Sequence, residues 1–375
     1  MAGDRTRGVS FLGSGPASMA VRPERHPRSI RRAARCEQPL TPANTMDRLE
    51  LELSPVEHAD AGTCAASSGC VLGIDFGGTK IAMATASVEG DVFDVAHIPT
   101  EAHEGADAVI SRMFDAAKAL VAETVARAGT TLVAVAAVTP GIVEAHGIKL
   151  APNNPGWDRL ALADVLRRGF EVQSIGVETD VKAAALAEAR KGALAGVDCG
   201  LYLNLGTGLA AAAVIGGQVL RGAHGAAGEI AYQCRGTHGE VPFAQGGAPF
   251  ENVASGRAIS DRASAIAGRP IGTREAFELS RDDARFASLI DETLSYLGVQ
   301  VANMALLLDP SKIVIGGGMS HIVRIHEAIR SALAQAVPYP PEVERSTFGA
   351  GAALQGALIL AAERRAAMSK GRPRA

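Results

Sequence analysis

The sequence predicts an α/β protein built from two related halves. Three observations predict it. A unit of strand, glycine turn and strand occurs twice, at Val71–Ala86 and Leu201–Ile215. Stretches with apolar residues at helical spacing alternate with short apolar runs after each unit. A third glycine run, Gly316–Gly318, follows the short apolar run 312–315 late in the second half.

The elements follow in order. Residues 1–69 are rich in Arg, Pro, Ser and Ala without a sustained apolar period, and are expected to be a disordered Arg/Pro-rich extension. Met46 is a plausible alternative start. Pro16, Pro23, Pro27, Pro39, Pro42 and Pro55 interrupt any helix pair there, which argues against a helix-turn-helix. From Cys70 the pattern sharpens. Val71–Asp75 reads as a strand, Phe76–Lys80 as a turn and Ile81–Ala86 as its partner strand. Asp107–Ala128 carries Val109, Ile110, Met113, Phe114, Ala117, Leu120 and Val121 at helical spacing. Leu132–Val138 is a buried strand stopped by Thr139-Pro140-Gly141. Trp157–Arg168 reads as one helix, Gly176–Thr179 as a strand running into Asp180, and Val181–Lys191 as an Ala-rich helix.

The unit then recurs: strand Leu201–Leu205, turn Gly206-Thr207-Gly208, strand Leu209–Ile215. Gly77 and Gly206 lie 129 residues apart, as in a distant internal duplication. Helices are expected at about 257–266, 282–308 and 321–336, and a strand at Lys312–Ile315. The expected division is a small α/β domain at 70–178 and a large one at 179–351. A closing helix at about 352–366 packs back on the small domain, and 367–375 is a basic solvated tail.

Composition excludes several function classes. Hydrophobic residues make up 47%, enough for a sizeable core, while aromatics at 4% do not furnish base-stacking platforms. Residues 1–45 hold eight Arg and three acids, a net of +5 against −3 for the whole chain, so the remainder carries −8. A body that acidic does not grip nucleic-acid backbones broadly, so no nucleic-acid partner is expected. No apolar run approaches the length of a membrane span. The five cysteines (Cys36, Cys64, Cys70, Cys199, Cys234) form no C-x-x-C pair and are odd in number, which suits a reducing cytoplasm.

The chemistry sits at the glycine turns. Glycines let backbone N–H groups approach phosphate oxygens, and a Thr adds a hydroxyl donor. One such turn is an ordinary loop; three at matching strand ends point to a phosphate clamp. Asp75, closing the first strand, is placed to hold Mg²⁺ through water. Asp180 stands where a strand meets a helix, suited to positioning a hydroxyl and taking its proton late, and a helix N-terminus favours its ionised form. There is neither a Walker A loop nor a Rossmann fingerprint.

The segments VLGIDFGGTKIAMA, TPGIV, APNNPGW, ETDVKAAALAEA, LYLNLGTGLAAAAVIGGQVLRGAHGAAGEIAY, FENVASGRAI and IVIGGGM resemble, in order and spacing, the ROK family of bacterial sugar kinases and repressors. The resemblance covers about residues 70–365. It implies the actin-like ATPase, ribonuclease H-like duplicated fold, with ATP and Mg²⁺ in the cleft between two α/β domains. Asp75, Gly77, Gly78, Thr79, Lys80, Gly206, Thr207 and Gly208 would then cradle the phosphates and Mg²⁺. Gly316 and Gly317 would line the nucleoside. Asp180 takes the slot of the family's general base, and Gly141, Asn153, Thr179, Glu229, Tyr232 and Glu251 match sugar-contacting positions.

Three departures stand out. Tyr232 replaces the family's His in GEIGH. The cysteine loop that binds zinc is missing, with only Cys234 and His238 in its place, so no structural zinc is expected. Thr179-Asp180-Val181-Lys182 replaces N-D-x-N, and Lys182 is expected to be solvated on its helix. The resemblance points to an ATP-dependent kinase for the 6-hydroxyl of glucose. Fructose, allose, N-acetylmannosamine or N-acetylglucosamine as acceptor, polyphosphate as donor, and a sugar-sensing regulator are the competing readings. By analogy with the family, a cytoplasmic homodimer or homotetramer is expected.

Overall fold

The computed structural model describes residues 69–144, 146–151, 154–234, 236 and 239–370. The expectations for residues 1–68, for Asn153 and His238, and for 371–375 lie outside the described residues, which fall within one compact unit.

The first half opens with β1 (Cys70–Phe76), β2 (Lys80–Ser87) and β3 (Val92–Pro99), then α1 (Ala106–Ala128) and β4 (Leu132–Thr139). A small hairpin, β5 (Ile142–Glu144) and β6 (Gly147–Lys149), precedes α2 (Leu162–Phe170) and β7 (Ser174–Thr179). The sheet order is β3-β2-β1-β4-β7, with β1–β2 and β2–β3 antiparallel and β1–β4 and β4–β7 parallel. After α3 (Asp180–Lys191) the pattern repeats with β8 (Cys199–Leu205), β9 (Leu209–Ile215) and β10 (Gln218–Val219). Helices α4 (Glu251–Ala254), α5 (Gly256–Ala267), α6 (Thr273–Leu279) and α7 (Ala284–Leu308) lead to β11 (Lys312–Gly316), α8 (Val323–Ala336), β12 (Glu342–Arg345) and α9 (Ala352–Ser369). The second sheet runs β10-β9-β8-β11-β12, with the same alternation of antiparallel and parallel neighbours. Two sheets of one topology, each begun by a glycine hairpin, are the duplicated actin-like architecture.

Each sheet is buried on both faces, so its central strands are continuous apolar runs rather than alternating ones. In the first, Leu72, Ile74 and Phe76 pack with Val109, Met113 and Leu120 of α1, while Val71, Ala84 and Ala134 meet Leu354 and Leu358 of α9. In the second, Leu203, Ile313 and Ile315 join α5, α7 and α8; Tyr202, Ala212 and Val314 join α3. Helices α3 and α9 therefore each cover a different sheet, and they pack on one another. Gly356 of α9 lies so close to the Ala183 carbonyl that a Cβ has no room. Glu188 of α3, fully buried, fastens this layer: its Oε1 accepts from Ser346 Oγ (2.7 Å) and Thr347 N (2.9 Å), and its Oε2 from Ala193 N (2.8 Å).

Several expectations need correction. The helix read at Trp157–Arg168 is a 3-10 turn at Trp157–Arg159 followed by α2. Leu160 is extended, and Trp157 is pulled into the core, where its indole N–H donates to Thr139 Oγ1 (2.8 Å). Strands β3 and β12 escaped the reading because both alternate or expose their side chains at sheet edges. The tail expected from 367 begins later, since α9 continues to Ser369.

Candidate active site

The turn between β1 and β2 holds Gly77, Gly78 and Thr79. Gly77 is fixed from both sides, its N–H donating to the Asp75 carbonyl (3.2 Å) and its carbonyl accepting from Thr100 Oγ1 (2.7 Å). Gly78 faces open space, and Gly78, Thr79 and Lys80 are exposed. This turn offers backbone donors on an accessible rim.

The turn between β8 and β9 is seated on a helix. Gly206 N–H donates to Gly208 O (3.1 Å), while the first amides of α5 donate to the turn, Gly256 to Gly206 O (2.8 Å) and Arg257 to Thr207 O (3.3 Å). Ser255 caps that helix through its side chain. Thr207 is exposed. A Cβ on Gly208 would sit 2.6 Å from Glu251 Oε2, so glycine there admits the carboxylate.

Of the third turn, Gly316 is corrected. Its missing side chain makes room for the buried Tyr202 hydroxyl, not for a ligand. Gly317, at φ +80°, packs against the end of β8 around Leu205 and Asn204. Gly318 is the open residue of the run, and its amide lies 3.8 Å from where a Gly206 Cβ would be. The second and third turns therefore adjoin through Gly318.

Between the glycine turns lies a cluster of acids. Asp75 is half-buried at the end of β1, and its carboxyl is pushed up to about 7 by burial, then by Asp180, with Lys80 opposing. Asp180 opens α3 but is not its N-cap. Thr179 is, and its hydroxyl accepts from Lys182 N (3.3 Å). That hydroxyl is buried, and its own O–H remains a donor. Asp180 is left to accept from Val181 N–H (2.8 Å) and face the cluster. Burial raises its pKa, while Val181 N–H and Lys182 oppose, so the helix terminus does not dominate as the sequence reading expects. Glu229 is raised by burial, lowered by Lys182, and raised again by Asp180 and Glu251. Glu251 joins this cluster to the second turn, its Oε2 accepting from Leu209 N–H (3.0 Å) and its Oε1 lying 3.7 Å from Arg257.

Lys182 is a further correction. It is 2% exposed, not solvated. The signal was present: DVKAAALA has no polar face, so a helix starting there is buried all round. Burial lowers its pKa, with Glu178 and Glu229 opposing. Glu178 in turn accepts from Thr179 N–H (2.9 Å) and pairs with Arg221 (3.2 Å).

Tyr232 stacks edge-on against Phe243 at 4.9 Å, and burial raises its hydroxyl pKa. The pair borders a cavity of about 580 Å³ also lined by Ile148, Leu150, Asn154 and Gly246. Asn154 is buried, with both amide atoms lacking a partner among the described residues. Gly141, at φ +96°, lets β4 turn into the hairpin β5–β6 beside this cavity. Cys234 is exposed.

Asp75 yields a pH prediction. A carboxyl raised in the folded state binds a proton that the unfolded chain has lost, so it costs stability as pH rises from about 4 to about 7. Asp75→Asn is therefore expected to raise the melting temperature of the ligand-free protein at pH 8 by several degrees and to change it little at pH 4. Thermal unfolding at both pH values checks this; an equal shift at both would show that Asp75 is not strained.

Comparison with known proteins agrees with this geometry. The profile described as ROK family matches residues 71–364. A glucokinase of Halalkalibacterium halodurans is 31% identical over 278 residues, 66% of this chain and 80% of that protein. The ROK hexokinase of Thermus thermophilus superposes with a TM-score of 0.67 at 29% identity, covering 78% of this chain and 97% of that one. A Streptomyces griseus ROK glucokinase solved with glucose and AMPPNP gives 0.65 at 28% identity, covering 79% and 100%.

Proposed function

Because the chain belongs to the ROK family, we propose that it is an ATP-dependent sugar kinase that phosphorylates the 6-hydroxyl of glucose, with Asp180 as general base. The observation that carries this is the placement of Asp180. It interacts with Asp75, beside the first glycine turn, and with Glu229, which in turn interacts with Glu251, the α4 residue held against the second turn by Leu209 N–H.

In this reading Gly78, Thr79, Lys80 and Thr207 receive the phosphates through backbone N–H and side-chain donors, while Gly77, Gly206 and Gly208 shape the two turns, with Gly318 beside them. Gly317 borders the nucleoside. Gly141, Asn153, Thr179, Glu229, Tyr232 and Glu251 hold the sugar, since carboxylates accept from several hydroxyls at fixed directions. Asp180 orients the attacking hydroxyl and takes its proton as the phosphorus–oxygen bond forms. Burial suits it to that task by raising its affinity for the proton. Closure of the two halves excludes water and so protects ATP from hydrolysis.

The residues fit Mg²⁺. Asp75 is a hard oxygen donor, strained by burial and by a second carboxylate, a strain that a divalent cation relieves. It would hold the ion through water, and the ion would neutralise phosphate charge. No helix among the described residues is long and apolar enough to cross a membrane; we place the enzyme in the cytoplasm, as a homodimer or homotetramer, which light scattering checks.

A coupled ADP-release assay over glucose, fructose, allose, N-acetylmannosamine and N-acetylglucosamine tests the proposal, with polyphosphate as a parallel donor. The expected result is the highest kcat/KM with glucose and ATP. A higher value with another sugar moves the specificity to that sugar. No turnover with any of them would remove the kinase reading.

A further inference from the structure

The cavity beside Tyr232 is not needed for phosphoryl transfer. Among the described residues Ile148, Leu150, Ala151, Asn154, Tyr232 and Phe243 line it, and none of Asp75, Asp180, Glu229 and Glu251 does. Its volume of about 580 Å³ falls within the ~300–1,000 Å³ of small-molecule sites. Two neighbours tie it to the sugar. Gly141 packs against Ile148 and Ala151 of its wall. Tyr232 lies one 3-10 turn after Glu229, its N–H donating to the Glu229 carbonyl (3.4 Å), and its ring meets Phe243.

Asn154 distinguishes this cavity from a plain gap in packing. It is 5% exposed, and neither its side-chain oxygen nor its NH₂ has a partner among the described residues. The turn around it does not need that side chain, because the backbone closes the turn: Asn154 N–H donates to Ala151 O (3.0 Å), and Asn154 O accepts from Trp157 N–H (3.2 Å). A buried carboxamide with donor and acceptor both unsatisfied is destabilising, and a ligand that supplies both partners recovers the loss. Both atoms are closed to water, so the amide turns about its side-chain bonds to meet the ligand. A hydroxyl donates and accepts in one group. At the rim, the half-exposed ring of Phe243 stands edge-on to Tyr232 and offers an apolar surface. Hydroxyls for an amide and C–H faces for a ring are together the surface of a sugar. An N-acyl substituent would leave most of this volume empty.

We propose that the cavity is a subsite for a second sugar ring, with Asn154 and Phe243 as the specificity-determining residues that bind it. The acceptor is then a glucosyl unit extended at its anomeric oxygen. Asp180 takes the 6-hydroxyl, and the anomeric carbon lies in the far half of the ring, toward Tyr232. This rests on the sugar-kinase reading and widens its acceptors from glucose to glucose-containing disaccharides. The phosphoryl step is unchanged: the 6-oxygen bonds to the γ-phosphorus as the bond to ADP breaks, and Asp180 takes the proton.

The test measures kcat/KM with ATP for glucose, maltose and cellobiose in the full-length wild type, Asn154→Leu and Phe243→Ala. The wild type is expected to phosphorylate at least one disaccharide, on its non-reducing ring, with a kcat/KM at or above that of glucose. In each variant that value is expected to fall about tenfold through KM, while glucose changes by no more than about twofold. Asn154→Leu also removes the unsatisfied amide, so the melting temperature of the ligand-free protein is expected to rise by a few degrees. A gain in stability with a loss of disaccharide turnover is a split that a merely structural residue does not give. No turnover of either disaccharide by the wild type, phosphate on the reducing ring, or equal losses for glucose and disaccharide in both variants overturns the proposal. Glucose turnover by the wild type keeps the kinase reading whichever way the disaccharides fall, so the two can fail separately.

Discussion

Replacing Asp180 by Ala is expected to lower kcat by about 10²–10⁴-fold, the contribution a positioned base makes to proton transfer. Nucleotide affinity, measured by calorimetry, is expected to stay unchanged, because the donors of the glycine turns are backbone groups on other elements. The helix should survive the change, since its N-cap is Thr179. Asp180→Asn separates shape from chemistry: it keeps an oxygen for Val181 N–H but cannot take the proton. It is expected to match the Ala variant in kcat. A kcat near that of the parent in either variant would remove Asp180 from the reaction.

The second large effect is on stability. Glu188→Ala is expected to cost about 3–4 kcal/mol, because it strands the Ser346 hydroxyl and the amides of Thr347 and Ala193 inside the protein. For a chain of this size that is a fall of roughly 5 °C in melting temperature. Glu188→Gln keeps one oxygen for Ser346 and Thr347 but turns an NH₂ toward the Ala193 amide, so it should lose less. Thermal or urea unfolding decides; equal losses in the two variants would mean that the Oε2 contact carries the whole effect.

Much of this architecture was legible in the sequence because it is local. Both glycine hairpins, the strand running into Asp180 and the closing helix announce themselves by apolar runs, turn residues and spacing. What was missed is non-local. Edge strands β3 and β12 exist because a neighbour offers hydrogen bonds, not because their own residues demand it. The break at Leu160 reflects Trp157 finding Thr139 across the core. Gly316 read as a ligand contact because nothing in the sequence says that Tyr202 fills the space behind it. The charge of Lys182 suggests exposure, but the alanines around it leave its helix no polar face to turn to water. The same alanines let α3 approach α9 closely enough to bury that charge.

The covering of the first sheet by α9 sets an order on biosynthesis. Strands β1, β2 and β4 are among the earliest described residues to be translated, and Leu354 and Leu358, which shield one side of them, are among the last. Until residues 352–369 have been made, Val71, Ala84 and Ala134 have no cover from α9, so the native packing of that face waits on a helix encoded some 280 residues after the first of them.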